Sequence, residues 1–137
     1  MFGSAYAPDF RSIHMSAVKL MSDYFTKISG SKYSFSFLPK LTYIEQCAKK
    51  YNNIIIFGCP CQLNAIQKFL KNRYINIIYI GLLCKGYSKP IILKNFIDNL
   101  EKTYNKKIIK LNMRYNHSTD IHIIFNDLTE QIIKNGS

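Results

Sequence analysis

The chain has 137 residues, enough for one domain, and 47% of them are hydrophobic, so it can bury a substantial core. No apolar run approaches the roughly 18 residues that a membrane-spanning helix needs, and the N-terminus lacks the basic region of a signal peptide, so we expect a cytoplasmic protein. The net charge of +11 comes mainly from lysines spread along the chain. Because Arg, the better residue for bidentate phosphate contacts, is scarce, we expect no nucleic-acid partner.

The first third of the chain predicts two strands followed by helices. Hydrophobic periodicity indicates, in order, strands over residues 2–6 and 10–15, a helix over 16–28, an extended segment over 33–38 and a helix over 42–51. Hydroxyl residues are expected to cap both helices. Ser16 is the predicted N-cap of the first, and Thr42 that of the second, with Glu45 at the capping-box position.

A strand, a tight turn and a helix occupy the middle of the chain. Residues 54–57 form an apolar run that is too short for a helix. Residues 58–61, Gly-Cys-Pro-Cys, break this run, and apolar side chains then recur at helical spacing up to Leu70. In open α/β sheets such a turn lies at the carboxyl end of a strand, where ligands usually bind. The turn is therefore the best functional candidate.

The last part of the chain alternates strands and a helix. The expected elements are a strand over residues 74–83, a helix over 88–105, a strand over 107–113 and a hairpin formed by 121–125 and 129–133. Ser88 is the predicted N-cap of the helix, and Pro90 falls in its first turn. We expect one α/β domain over residues 1–137, with a mixed, partly parallel sheet flanked by helices and a C-terminal β-hairpin. The abrupt ends suggest part of a longer protein.

Four cysteines carry most of the reactive chemistry. Cys59 and Cys61 lie in the central turn, where a helix N-terminus lowers the pKa of a thiol and suits a metal ligand or a redox thiol. Cys84 follows the next strand, and adjacent strand ends would bring it near Cys61. Alternatively, the turn cysteines are small half-buried residues and Cys84 is a buried core thiol. Cys47 has apolar and aromatic helical neighbours and is interpreted as a packing residue.

Two further segments offer groups that suit an anion. Gly30, Ser31, Lys32 and Tyr33 could present backbone N–H groups and a positive charge to a phosphate or a flavin. The full P-loop pattern is absent, and a helix C-cap is the alternative interpretation. Arg114, at a strand end, could hold an anionic group, with a solvated strand end as the alternative. The three histidines show no metal-ligand spacing and are interpreted as surface or sheet residues.

Four segments of the chain form an ordered series of motifs. Residues 30–33 read G-S-K-Y, residues 58–62 read G-C-P-C-Q, residues 84–90 read C-K-G-Y-S-K-P, and residues 96–114 combine a helix with a following strand that ends in Arg. This series resembles the motifs G-S-K-Y, G-T-P-C-Q, C-H-G-V-P-S-P and K-Y-x-x-x-L-E-x-x-Y with F-R-x-K of the coenzyme F420 hydrogenase/dehydrogenase beta-subunit family.

The resemblance implies an oxidoreductase subunit that passes electrons between FAD, a 4Fe-4S cluster and an acceptor such as coenzyme F420. By motif matching, Cys61 and Cys84 would be the cluster ligands. The residues that would line the flavin region and bind the cofactor are Gly30, Ser31, Lys32, Tyr33, Gly58, Pro60, Gln62 and Arg114. The implied partner is a redox partner protein or the remainder of a longer family chain.

The sequence departs from the family pattern at several positions of these motifs. Cys59 stands where Thr is usual and Lys85 where His is usual, so the resemblance assigns no role to Cys59. Two alternatives remain open. One is a non-catalytic module that docks to a redox or glycan-modifying partner and lacks a complete cofactor site. The other is a thiol-redox protein that uses Cys59 and Cys61.

Overall fold

The chain forms two compact units, each with its own hydrophobic core. The computed structural model describes residues 1–19, 21–28, 32, 34–84, 86, 88–115 and 119–134. The first unit comprises Met1–Ala5, His14–Ser29 and Ser36–Gly86. The second unit comprises Tyr6–Ile13, Gly30–Phe35 and Tyr87–Ser137.

A five-stranded sheet lies almost wholly in the first unit. Its strands are β1 (Phe2–Tyr6), β2 (Ile13–Ala17), β3 (Ser36–Phe37), β4 (Ile54–Gly58) and β5 (Ile77–Gly81). The strand order is β3-β2-β1-β4-β5, and β4 pairs in parallel with both β1 and β5. The predicted α/β class with a partly parallel sheet is confirmed, although β5 is shorter than the expected residues 74–83.

The first unit also contains helical segments, which supply part of its core. They are a short α1 (Met21–Asp23) continued by a π-helical turn (Tyr24–Ile28), α2 (Leu41–Lys50) and α3 (Pro60–Leu70). Helical spacing gives α3 one buried face, and strand alternation buries every second residue of β4. The resulting core contains Phe2, Met15, Ile44, Cys47, Ala48, Ile54, Ile56, Leu63, Ile66, Leu70 and Ile77.

One helix and a three-stranded antiparallel sheet make up most of the second unit. They are α4 (Pro90–Tyr104), β6 (Ile108–Asn112), β7 (Ile121–Phe125) and β8 (Glu130–Ile133), with the strands in that order. The predicted hairpin is thus confirmed as β7 and β8. The core contains Ile13, Leu93, Ile97, Leu100, Ile108, Leu111, Ile123 and Phe125. None of the helices in the described residues has the length and apolar character needed to cross a membrane.

Two predicted elements near the N-terminus are wrong in position. The strand expected over residues 10–15 starts at Ile13, because the preceding residues form a turn. In this turn the Ala7 N–H donates to the Ser12 carbonyl at 2.9 Å, and Phe10 adopts a positive φ of 59°. Ser16 lies within β2 rather than at a helix N-cap, so the predicted helix begins later, at Met21, and ends at Ile28 as expected.

The other predicted N-caps are also wrong, each by one or two residues. Thr42 lies inside α2, and Ser88 precedes the N-cap of α4. Lys40 and Lys89 hold these N-cap positions without a side-chain cap bond. Glu45 takes no part in a capping box and instead accepts a hydrogen bond from a tyrosine hydroxyl of another segment.

Candidate functional site

The turn between β4 and α3 is fixed by a reciprocal pair of hydrogen bonds. Cys59 is the N-cap of α3, and its backbone carbonyl accepts a hydrogen bond from the backbone N–H of Gln62 at 2.9 Å. The Oε1 atom of Gln62 in turn accepts from the Cys59 N–H at 3.0 Å. Pro60 follows at the first helical position, where its fixed φ suits the helix and its missing N–H costs nothing. This capping box holds Cys59 and Cys61 at the start of a helix.

Gln62 also anchors the turn to the far edge of the sheet. Its Nε2 atom donates to the Ser36 carbonyl of β3 at 2.8 Å, and its side chain is buried. The Ser36 hydroxyl accepts a hydrogen bond from the Ser4 hydroxyl at 2.9 Å. Both ends of the Gln62 amide are therefore engaged within the protein, so this predicted cofactor-binding residue supports the turn through these bonds.

Gly58 stands where a side chain would crowd its surroundings. A Cβ atom at this position would lie 3.1 Å from the Leu63 side chain, 3.3 Å from that of Met15 and 3.4 Å from Gln62 Oε1. The glycine thus allows close packing of the end of β4 against α3. Gly81 is the residue of β5 that pairs with Gly58, and a Cβ atom added there would have no heavy atom within 4 Å.

Three thiols gather near the carboxyl ends of two neighbouring strands. Gly58 pairs with Gly81 in the parallel β4–β5 ladder, and the Leu82 N–H extends the ladder by donating to the Gly58 carbonyl at 2.9 Å. Cys59 directly follows Gly58, and Cys84 lies three residues after Gly81. Cys61 is exposed on α3. The parallel pairing of β4 with β5 makes the two strands neighbours, as expected, and the proximity of Cys84 to Cys61 stays a prediction.

The pKa of the Cys59 thiol is raised, whereas its place at a helix N-terminus predicts a lowered pKa. Burial raises the pKa of the Cys59 thiol, and the hydrogen bond with Cys84 raises it further, as do charge interactions with Cys84 and Cys61, giving a pKa of about 11. The expected lowering of the pKa is wrong for this thiol, because burial and neighbouring sulfur atoms both disfavour its anion.

The described residues do not complete a metal site by themselves. Among them, no group of three or more His, Cys, Asp or Glu side chains is arranged to hold a metal ion. Cys84 is exposed rather than buried and donates a hydrogen bond to the Gly86 carbonyl at 3.7 Å. The interpretation of Cys84 as a core thiol is therefore wrong. Cys47 packs in the core of the first unit, as predicted.

Two predicted site residues belong to the second unit. Burial lowers the pKa of Lys32 to about 8, and its Nζ lies 5.6 Å from the centre of the Tyr6 ring. Arg114 is exposed just after β6, and its backbone N–H donates to the Asn112 side chain at 3.2 Å. The remaining residues of the predicted glycine segment, Gly30, Ser31 and Tyr33, lie outside the described residues.

An ion-pair network in the second unit was not predicted from the sequence. The guanidinium of Arg11 contacts both Asp98 and Glu101 at 2.7 Å, and Lys107 reaches Glu101 at 2.7 Å. Desolvation raises the pKa of Glu101, but hydrogen bonds from Lys107 and Arg11 outweigh it and hold the pKa at about 2. The only signal available in the sequence was the i,i+4 spacing of Lys94 and Asp98 on α4.

Comparisons with known proteins concern the C-terminal two thirds of the chain. A family profile for the C terminus of the coenzyme F420 hydrogenase/dehydrogenase beta subunit matches residues 51–135. The chain is also 29% identical over 84 residues to the F subunit of the F(420)H(2) dehydrogenase from Methanosarcina mazei. That alignment covers 60% of this chain and 24% of the relative, so the chain spans about a quarter of the relative's length. No solved structure matches.

Proposed function

Because this chain belongs to the coenzyme F420 hydrogenase/dehydrogenase beta-subunit family, in its C-terminal region, we propose that it carries part of a flavin- and iron–sulfur-dependent electron-transfer site. The family assignment supports a redox role. The finer proposal is that the intact site moves electrons between FAD, a 4Fe-4S cluster and an acceptor such as coenzyme F420. Its partner is a redox protein or the rest of a longer family chain.

The single observation that carries the proposal is the grouping of thiols at the β4 and β5 strand ends. Iron–sulfur clusters are held by cysteine thiolates, normally four for a 4Fe-4S cluster. The family resemblance assigns this role to Cys61 and Cys84, and the parallel pairing of β4 with β5 supports bringing the two strand ends together. The capping box supports the role of Pro60 and Gln62 in aiming the turn.

This group of thiols is a partial ligand set rather than a complete cluster site. The described residues offer Cys61, Cys84 and at most Cys59 at this edge, one fewer thiolate than a 4Fe-4S cluster takes. The remaining ligands therefore have to come from a partner protein or another segment of a longer chain. For FAD, the positive charges of Lys32 and Arg114 and the backbone at Gly30, Ser31 and Tyr33 are the groups proposed to meet the anionic phosphates.

The experiment is a visible spectrum of anaerobically purified protein, with iron and flavin assays. We expect a brown, flavin-containing protein when the ligand set is completed, with up to about four iron atoms per chain. Cys61→Ala and Cys84→Ala should each lose the iron, whereas Cys47→Ala, a change in the α2 core, should keep it. Iron that survives in both site variants would contradict the ligand assignment.

A second candidate function is a docking module without a cofactor of its own. The observation that favours it is the exposure of two large apolar side chains next to the thiols. Leu82 is 46% exposed and Leu83 is fully exposed, and such residues often mark a contact surface. A folded protein that binds neither iron nor flavin, with or without added redox partner, would favour this module over the electron-transfer site.

A further inference from the structure

The strand β5 is the least protected sheet edge in the described part of the chain. The two sheets have four edge strands, β3, β5, β6 and β8. Proteins blunt exposed edges with short strands, charged residues, prolines or bulges, because an unpaired edge can pair with another strand. β3 has only two residues, β6 carries Lys110 beside a break in its register, and β8 carries Glu130. β5 has none of these features and pairs with β4 in an unbroken register.

The sequence around β5 is uncharged although the chain as a whole is strongly basic. Residues 74–83, Y-I-N-I-I-Y-I-G-L-L, contain no charged side chain, whereas 20% of the residues of the chain are charged and the net charge is +11. Two copies with this net charge repel each other over most of their surface. The repulsion is reduced where charges are absent, so the β5 edge is a surface at which a second copy can approach.

Alternation along β5 leaves an apolar row on one face of this edge. Ile77 is buried in the core of the first unit. In contrast, Ile78, Ile80 and Leu82 are 53%, 37% and 46% exposed. Side chains two residues apart share one face of a strand, so these three residues form a row beside the free edge. An exposed apolar row of this kind is typical of a contact surface.

The backbone on the free side of β5 can accept a further strand. The Asn76 carbonyl and the Leu82 N–H both bond to the β4 side at 2.9 Å, so these residues turn their backbone groups towards β4. Backbone groups of successive residues point to opposite sides of a strand, so those of Tyr79 and Gly81 point away from β4. Among the described residues, β5 has no strand on that side.

We propose that the chain forms a dimer in which β5 pairs with β5 of a second copy, antiparallel and about a two-fold axis at Ile80. In this register Ile80 lies opposite Ile80 of the second copy, and Ile78 lies opposite Leu82 of the second copy. The exposed row of each chain thereby covers that of the other. Tyr79 and Gly81 exchange backbone hydrogen bonds on both sides of the axis, and the two five-stranded sheets join into one continuous sheet.

A second copy fits this edge because the apolar row is its own complement across a two-fold axis. The pairing also closes. Once the two β5 edges are joined, the edges left in each chain are the two-residue β3 and the charged β6 and β8, so assembly stops at two chains. The inference does not rest on the proposed function, since no cofactor takes part in the pairing.

The first test is sedimentation equilibrium of the full chain from about 1 μM to about 1 mM, the range of weak to moderate affinities. We expect a concentration-dependent rise towards twice the 16.0 kDa of one chain. Ile80→Lys should raise the Kd at least about tenfold, because it places like charges directly opposite each other. The matched control is Ile132→Lys on β8, where Ile132 is 42% exposed, and it should leave the Kd unchanged. Circular dichroism confirms that both variants are folded.

The second test is a cross-link that reports the register. Directly opposite residues of a non-hydrogen-bonded antiparallel pair have Cα atoms about 4.5 Å apart, within the roughly 4.4–6.8 Å range of disulfides. Ile80→Cys, oxidised with diamide, should therefore give covalent dimers joined at position 80 in peptide mapping. Ile78→Cys is the control, since the two copies of position 78 lie four residues apart along the ladder, about 13 Å. The native cysteines are the same in both variants.

Three results would overturn the proposal. A monomer up to about 1 mM would mean that the edge receives a strand of another protein or none. Open-ended assembly, or a dimer with the same Kd in Ile80→Lys, would show that copies meet at a different surface. Equal cross-linking of Ile80→Cys and Ile78→Cys, or no bond at position 80, would contradict the antiparallel register.

Discussion

Replacing Gln62 by Met removes the amide that fixes the β4–α3 turn while keeping the length and volume of the side chain. The substitution deletes two hydrogen bonds, one from the Cys59 N–H at 3.0 Å and one to the Ser36 carbonyl at 2.8 Å. Because the side chain of Gln62 is buried, water cannot fully replace the lost amide. We therefore expect a destabilised turn rather than a silent change.

The magnitude follows from the two groups left without a partner. Each hydrogen bond contributes about 0.5–1.5 kcal/mol net, and each buried group left unsatisfied costs about 1–3 kcal/mol. Cys59 is only half-buried, so its N–H can recover part of this through water. The expected loss in the free energy of unfolding of the first unit is about 2–4 kcal/mol.

The matched control is Gln67→Met on the same helix. Gln67 makes no side-chain hydrogen bond to any residue that the structure describes, so its replacement should change stability by less than about 0.5 kcal/mol. Guanidinium unfolding followed by circular dichroism gives the overall effect, and hydrogen exchange of peptides over residues 57–63 gives the local one. Equal effects of the two variants, or unchanged exchange at the Cys59 amide, would refute the role assigned to Gln62.

Further predictions concern a neighbouring glycine and the ion-pair network of the second unit. Gly58→Ala should destabilise the protein by about 1 kcal/mol, because crowding costs about 1–3 kcal/mol and reduced unfolded-state entropy returns about 0.4–1 kcal/mol. Gly81→Ala should be neutral or slightly stabilising, since an added Cβ there meets nothing within 4 Å; comparable destabilisation of both in chemical denaturation would contradict the packing argument. Glu101 has a pKa of about 2 in the folded protein against an ordinary value of 4.5. Its stabilising effect is therefore fully present above pH 4.5 and is lost as the pH falls towards 2. Melting temperatures measured across this range should fall less steeply for Glu101→Gln than for the unmodified chain, and parallel curves would count against the network.

The central part of the fold could be predicted because its sequence signals agree with one another. An apolar run, a Gly-Pro turn and helical spacing up to Leu70 all indicate the strand, turn and helix that the structure contains. The caps could not be predicted from hydroxyl residues alone. Pro60 and Pro90 each occupy the first helical position, so proline marked these helix starts better than Ser or Thr did.

The candidate site could be predicted only in part, because it depends on a loop. The strand-end position of Cys84 followed from the alternation of strands and helices, since parallel neighbours end at the same edge of a sheet. The distance of Cys84 from the turn depends on the path of the chain after Gly81, which no periodic pattern specifies. The capping role of Gln62 was missed because a cysteine at the N-cap is not a typical capping residue.

The thiol at position 59 is a poor cap, which makes its chemistry the better explanation of its presence. A sulfur atom is a weak hydrogen-bond acceptor. The family motif G-T-P-C-Q, which residues 58–62 resemble, has Thr at the position of Cys59. Ser, a preferred N-cap residue, should therefore stabilise the start of α3 by about 0.5–1 kcal/mol relative to Cys. Cys59→Ser is thus expected to raise the free energy of unfolding of the first unit, measured by guanidinium denaturation. A loss of stability in this variant would instead mean that the Cys59 side chain is needed for packing.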